Sequence, residues 1–124
     1  MLQQLLPVAA LALLLAVLMG NSALSGGGGT MRAVIRPGLR FDAQYPAPRA
    51  PRSGTDEVLL RVHAAAINPV DYKVGKSILG PIVGLDVAGT VEAVGDASKS
   101  ELRVGDEVYG TARGALAERV LATA

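Results

Sequence analysis

Residues 57–73 read EVLLRVHAAAINPVDYK, and their reading decides the fold. Val58, Leu60, Val62, Ala64 and Ala66 alternate with Leu59, Arg61, His63 and Ala65, the period-two pattern of a strand with one apolar face. Asn68-Pro69-Val70-Asp71 then stops it. Asn68 is a good N-cap, Pro69 suits the first helical position, and Asp71 favours the first turn through the helix dipole. The pattern predicts a strand to Ile67 and one helical turn through about Val74, ended by Gly75.

The flanking segments repeat this texture. Gly84 to Gly95 is a second strand with Leu85, Val87, Val91 and Ala93 on one face, and Gly89 in its middle marks a bulge or a close backbone approach. Residues 32–36 are a short β-prone run closed by Pro37-Gly38. Pro37, Pro46, Pro48 and Pro51 make residues 37–56 an irregular excursion, with a short edge strand around Leu39–Ala43. Gly105-Asp106 turns into a short strand over Glu107–Tyr109. Residues 115–124 stay open: alanine and leucine favour helix, while Val120 and the preceding strands favour sheet. Many short strands, Gly/Pro turns and little helical periodicity predict a small, mainly β, barrel-like domain with one or two helical turns.

Composition narrows the chemistry. The 124-residue chain carries a formal charge of +1 and 3% aromatic residues, which leaves neither an electrostatic footprint nor stacking platforms for nucleic acid. It has no cysteine, so disulfides, thiolate zinc sites and cysteine nucleophiles are excluded. Residues 1–30 hold 18 of the 62 hydrophobic residues and none of the 23 charged ones. Leu5 to Met19 is apolar except for Pro7, too short to span strictly, though residues 2–24 together reach about the 20 needed. The run also fits the apolar region of a secretory signal, with Ala23-Leu24-Ser25 offering small residues at the −3 and −1 positions of a cleavage site, but a basic n-region is missing. Residues 1–25 are thus read as a signal peptide or membrane anchor in an apolar helix, 26–30 as a glycine-rich tether, and 31–124 as the domain. That reading places the protein in the secretory pathway or on a membrane. An organelle leader, or initiation at Met31, places it in an organelle or the cytoplasm instead.

Three segments taken in order carry a resemblance: VHAAAINPVDYK over 62–73, GLDVAGTVEAVG over 84–95, and VGDEVYG over 104–110 followed by GALAE over 114–118. Together they resemble the GroES-like domain of the medium-chain dehydrogenase/reductase superfamily, in its quinone oxidoreductase and enone reductase branch. The resemblance covers Met31 to about Leu121, and Met31-Arg-Ala-Val looks like the natural start of such a protein. It implies a partly open GroES-like β-barrel and an NADP(H)-using oxidoreductase whose second wall is a Rossmann domain. Zinc-dependent members place a cysteine where Asn68 stands and a His-Glu pair where Leu85-Asp86 stands. With no cysteine, and with leucine unable to ligate, neither family zinc site can be assembled. The implied enzyme is zinc-independent.

In that branch the oxygen of a quinone or conjugated enone gains charge and needs hydrogen-bond donors. Asn68 is a candidate through its amide, beside its alternative as a simple N-cap; Tyr72 and Lys73 are candidates by position, Lys73 favoured by the Asn-Pro-Val-Asp-x-Lys spacing. Asp71 reads as a capping carboxylate. Asp86 reads as hydrogen-bonded to neighbouring backbone or to a basic partner, and His63 as solvated or locally bonded on a mixed face. Gly84, Gly89, Gly95, Gly105 and Gly110 are backbone devices and not a phosphate cradle. No G-x-G-x-x-G opens a helix after a strand, so the cofactor-binding Rossmann domain is absent from this sequence. The expectation is therefore the catalytic-domain portion of such a reductase, a fragment inactive by itself, with a sheet edge left unpaired. The alternatives are a tethered non-catalytic GroES-like binding module, or half of a split enzyme completed by a separate Rossmann-domain chain.

Overall fold

The structure, a computed structural model, describes residues 2–4 and 29–124. Among these residues seven strands and two short helices follow in chain order: β1 (Leu2–Gln4), β2 (Thr30–Ile35), β3 (Arg40–Pro46), β4 (Glu57–Ala66), α1 (Pro69–Lys73), α2 (Lys76–Leu79), β5 (Asp86–Val94), β6 (Glu107–Thr111) and β7 (Arg119–Thr123). Five strands form one antiparallel sheet in the order β1-β6-β5-β4-β7, and β2 pairs with β3 as a ribbon. Single bridges, Ala33 to Ala117 and Ile35 to Ile82, fasten the ribbon to the rest. This is the partly open, mainly β barrel with one or two helical turns that the sequence implies.

The core lies on one face of the sheet, where Val58, Leu60 and Val108 are fully buried beside Val87, Val91, Leu102, Ala115 and Val120. The alternation expected along β4 holds only as far as Val62. There the register slips, with Val62 opposite Gly89 but Ala64 opposite Ala88, so His63 is an extra residue in β4. One added residue moves every following side chain to the other face. Ala65 therefore packs on the core, and Ala64 and Ala66 are exposed. A second slip leaves Glu92 unpaired in β5, so Val94 and not Ala93 turns inward. Gly89 meets the first bulge, where a Cβ would overlap the Arg61 carbonyl oxygen; the close backbone approach read from the sequence is real.

Elsewhere tertiary pairing resolves what local preference could not. Residues 119–123 form β7 against β4, with Val120 and Ala122 buried, because sheet pairing overrides the helix propensity of the tail. The edge strand expected around Leu39–Ala43 runs on to Pro46, opposite Thr30. The proline-rich segment after it is held by Glu57, whose carboxylate takes hydrogen bonds from both Arg49 and Arg52 side chains and from the Arg52 N–H.

The expected apolar N-terminal helix, signal segment and tether lie almost wholly outside the described residues. Leu2–Gln4 is described, and it is a strand, correcting the helix there. It pairs antiparallel with Val108–Gly110 on the outer edge of β6, and Leu2 joins the core at 8% exposure. The outer side of β6 is thereby covered over three residues, and the sheet ends on β7 at its other side. Among the described residues no helix is long and apolar enough to cross a membrane.

Candidate active site

The turn after β4 gathers the polar groups of interest. Asn68 is extended, with φ −120° and ψ 161°, and α1 starts at Pro69 as the sequence predicts. Asp71, at the third helical position, reaches back so that its Oδ2 accepts the Asn68 N–H at 2.8 Å. Its Oδ1 accepts the Gly84 N–H at 3.1 Å. Gly84 has φ +97° and its site leaves no room for a Cβ beside Leu116, so the chain there must be glycine. Asp71 is thus the capping carboxylate expected, fully buried, and it also ties α1 to the start of β5.

Asn68 directs its side chain elsewhere. Its Nδ2 donates to Asp86 Oδ2 at 2.8 Å, at the first position of β5. A carboxamide has two N–H donors and an acceptor oxygen, and this bond engages one of the N–H groups. Asp86 thus bonds neither the neighbouring backbone nor a basic side chain, the partners expected from the sequence, but a side-chain amide 18 residues away.

Asp86 also lines an open groove of about 500 Å³. Its floor is the sheet face opposite the core, where Ala64, Ala88 and Tyr109 form one cross-strand row and Ala66, Asp86 and Thr111 the next. The β4 bulge creates this floor, since it turns Ala64 and Ala66 outward. The alanines there leave a shallow apolar bed, and Asp86, the partner of Asn68, is the charged residue in its lining.

Among the candidates, the structure brings Asn68, Asp71 and Asp86 together. Tyr72 and Lys73 stand on the same helical turn but are exposed, Tyr72 at 59%, and make no hydrogen bond to that cluster. His63, the bulge residue, hydrogen-bonds Thr90 Oγ1 through Nε2 at 2.7 Å, the local bonding expected. One residue escaped the sequence reading. Arg36 is 7% exposed and lies against Asp71, its Nη2 3.7 Å from Oδ1. Only its position in an otherwise apolar strand end could have signalled it.

Among the described residues no three His, Asp or Glu side chains gather as metal donors, and Leu85 beside Asp86 has no donor atom. A dinucleotide cradle needs a parallel strand–helix–strand unit with the pyrophosphate at the helix N-terminus. Among the described residues every strand pairing is antiparallel and the helices are five and four residues long. The described residues therefore do not by themselves fit a nicotinamide dinucleotide, and no step through one is assigned to them.

Comparison with known proteins agrees with this geometry. The sequence profile of the alcohol dehydrogenase GroES-like domain matches residues 54–123, more than half of the chain. The chain is 39% identical over 99 residues to a trans-enoyl reductase, BOA5, of Botryotinia fuckeliana, covering 73% of this chain and 26% of that protein. It is 47% identical over 66 residues to a chloroplastic NADPH-dependent alkenal/one oxidoreductase of Arabidopsis thaliana, covering 48% of this chain and 17% of that one. Among solved structures, the quinone oxidoreductase of Coxiella burnetii superposes with a TM-score of 0.58 at 28% identity, over 75% of this chain and 34% of that one. The chain thus spans between 17% and 34% of the length of these proteins.

Proposed function

The chain belongs to the alcohol dehydrogenase GroES-like domain family, and from that premise we propose that it is the substrate-side domain of a zinc-independent, NADPH-dependent reductase of quinones or conjugated enones. The observation that carries this reading is the Asn68 carboxamide, bonded to Asp86, which lines an apolar groove. A flat conjugated carbonyl compound lies on the alanine floor, with its oxygen toward the free N–H of Asn68. As the conjugated system is reduced, charge develops on that oxygen, and a fixed donor stabilises it; loss of one such donor typically costs about 10²- to 10³-fold in rate. The Tyr72 hydroxyl and the Lys73 ammonium, on the same turn, are the further donors of the site.

Zinc independence is supported by the donor set, with no thiolate in the sequence and Leu85 beside Asp86. NADPH as reductant is supported by the one relative above that is named for it, and it would be held by polypeptide outside the described residues. The leader reading also stands as a proposal, resting on the apolar run from Leu5 to Met19.

The groove is tested on the chain by titrating a water-soluble quinone into the isotopically labelled protein. Shifts confined to Ala64, Ala66, Ala88, Tyr109 and the Asn68 side-chain amide are expected. Shifts confined to the β2–β3 ribbon, or none at saturating ligand, contradict the assignment.

A further inference from the structure

We propose that Arg36 is a positioning residue for Asn68, acting through the buried Asp71; the inference rests on the reading of Asn68 as a substrate-contacting group. Arg36 follows the last residue of β2 and is 7% exposed, while Asp71 is fully buried. Its guanidinium grips main chain more than carboxylate. Nε and Nη2 donate to the Asp71 carbonyl oxygen at 3.1 and 2.9 Å, and Nη1 donates to the Gly80 and Ile82 carbonyls at 3.1 and 2.6 Å. The Arg36 N–H donates to the Pro81 carbonyl at 2.7 Å. These bonds all go to α1 and to the connection between α2 and β5. None of them goes to the five-stranded sheet.

The arrangement matters because a five-residue helix leaves most of its carbonyls without partners, and Arg36 supplies one to Asp71. It also sets the charge balance. A buried carboxylate needs a counter-charge, and among the described residues Arg36 is the cation paired with Asp71. That carboxylate orients the Asn68 N–H on one oxygen and the Gly84 N–H on the other. Without Arg36, the buried Asp71 carboxylate has lost its paired cation and the clamp on its main-chain carbonyl. Its hold on the Asn68 main chain then loosens, and the carboxamide leaves Asp86. Lysine keeps the charge but has no planar fork of donors, so it cannot replace arginine at three carbonyls.

The test uses nuclear magnetic resonance on the full chain, comparing the native protein with Arg36→Lys and Arg36→Met. Asp86→Ala serves as the reference for an Asn68 carboxamide that is not held. In both Arg36 variants the Asn68 side-chain amide signals are expected to move to their Asp86→Ala positions. Hydrogen-exchange protection at the Asn68 and Gly84 amides is expected to fall tenfold or more, while that at Val62 and Val91 in the sheet changes less than twofold. A lowered melting temperature with the Asn68 signals unmoved overturns the proposal, as does an equal loss of protection across the sheet. If Arg36→Met does not fold, Arg36→Lys decides; if neither folds, Arg36 supports the whole domain and the proposal is wrong. No cofactor or substrate enters this experiment, so it can fail while the reductase reading stands. Conversely, turnover unaffected by Asn68→Ala removes that reading and leaves the Arg36 result untouched.

Discussion

The Asn68 carboxamide donates to the Asp86 carboxylate at 2.8 Å, which joins the start of α1 to the start of β5, where Asp86 lines the groove. Asp86 is exposed, so this bond adds little to folding. Asp86→Ala is accordingly expected to change the urea-unfolding free energy by less than about 1 kcal/mol. The same variant is expected to lower the affinity for a quinone several-fold, because the donor no longer has a fixed direction. Equal affinity in both proteins contradicts that role.

Asp71→Asn separates the buried pair from the exposed one. It leaves the Arg36 guanidinium buried without its counter-charge and turns an acceptor toward an N–H into a donor. Breaking a buried pair by removing one partner typically costs about 3–5 kcal/mol, and a loss of that order is expected in urea unfolding. A loss below about 1 kcal/mol would mean the carboxylate is not buried as described.

Gly89→Ala tests the bulge that makes the groove floor. Its Cβ would overlap the Arg61 carbonyl oxygen, a main-chain atom that cannot step aside without moving β4. Overpacking of this kind costs about 1–3 kcal/mol or more. Gly29→Ala, where nothing lies within 4 Å, is the neutral control. Equal melting temperatures for the two variants would contradict the β4–β5 register.

Much of this was legible in local sequence. The strand from Glu57, its stop at Asn68-Pro69 and the capping role of Asp71 depend on neighbours within a few residues, and each was read from them. The bulge at His63 was not. Its effect on which alanines face outward depends on pairing with β5, which no single strand's periodicity contains. Arg36 was invisible for a related reason, since its side-chain partners lie 35 to 46 residues away in the chain. The tail read equally as helix or strand until β4 offered it a partner. Local signals thus placed Asn68, while long-range contacts built the bed and the clamp around it.

Acid should weaken the fold through Glu57. Hydrogen bonds from the Arg49 side chain, and then from the Arg52 main chain and side chain, hold this carboxyl well below its ordinary value of 4.5. A group depressed in the folded state stabilises it above the unfolded pKa, and the contribution is lost as pH falls toward the folded value. Native protein is therefore expected to exceed Glu57→Gln in stability at pH 7. That difference should narrow steadily below about pH 4.5. Urea midpoints across this range give the sign, and a difference that widens in acid contradicts the Arg49–Glu57–Arg52 cluster.

The N-terminal strand gives a local prediction. Leu2 is buried against the core, but it is carried by only three paired residues. Burial of a leucine is typically worth about 2–5 kcal/mol, yet here the loss stops at whatever holds β1 in place. Leu2→Asp and deletion of residues 2–4 are thus expected to give the same stability. Both should speed hydrogen exchange at the β6 amides that face β1 and leave β4 unchanged. Loss of protection throughout the sheet would make β1 integral to the fold rather than a cover for its edge.

The most direct test of the central claim is consumption of NADPH with a quinone or an enone as acceptor. It is measured on the purified chain and on the chain joined to a dinucleotide-binding domain of a related reductase. The account predicts no turnover by the chain alone and chelator-insensitive turnover in the joined protein, reduced about 10²- to 10³-fold by Asn68→Ala. Steady turnover by the chain alone, or joined-protein turnover that Asn68→Ala leaves unchanged, would contradict it.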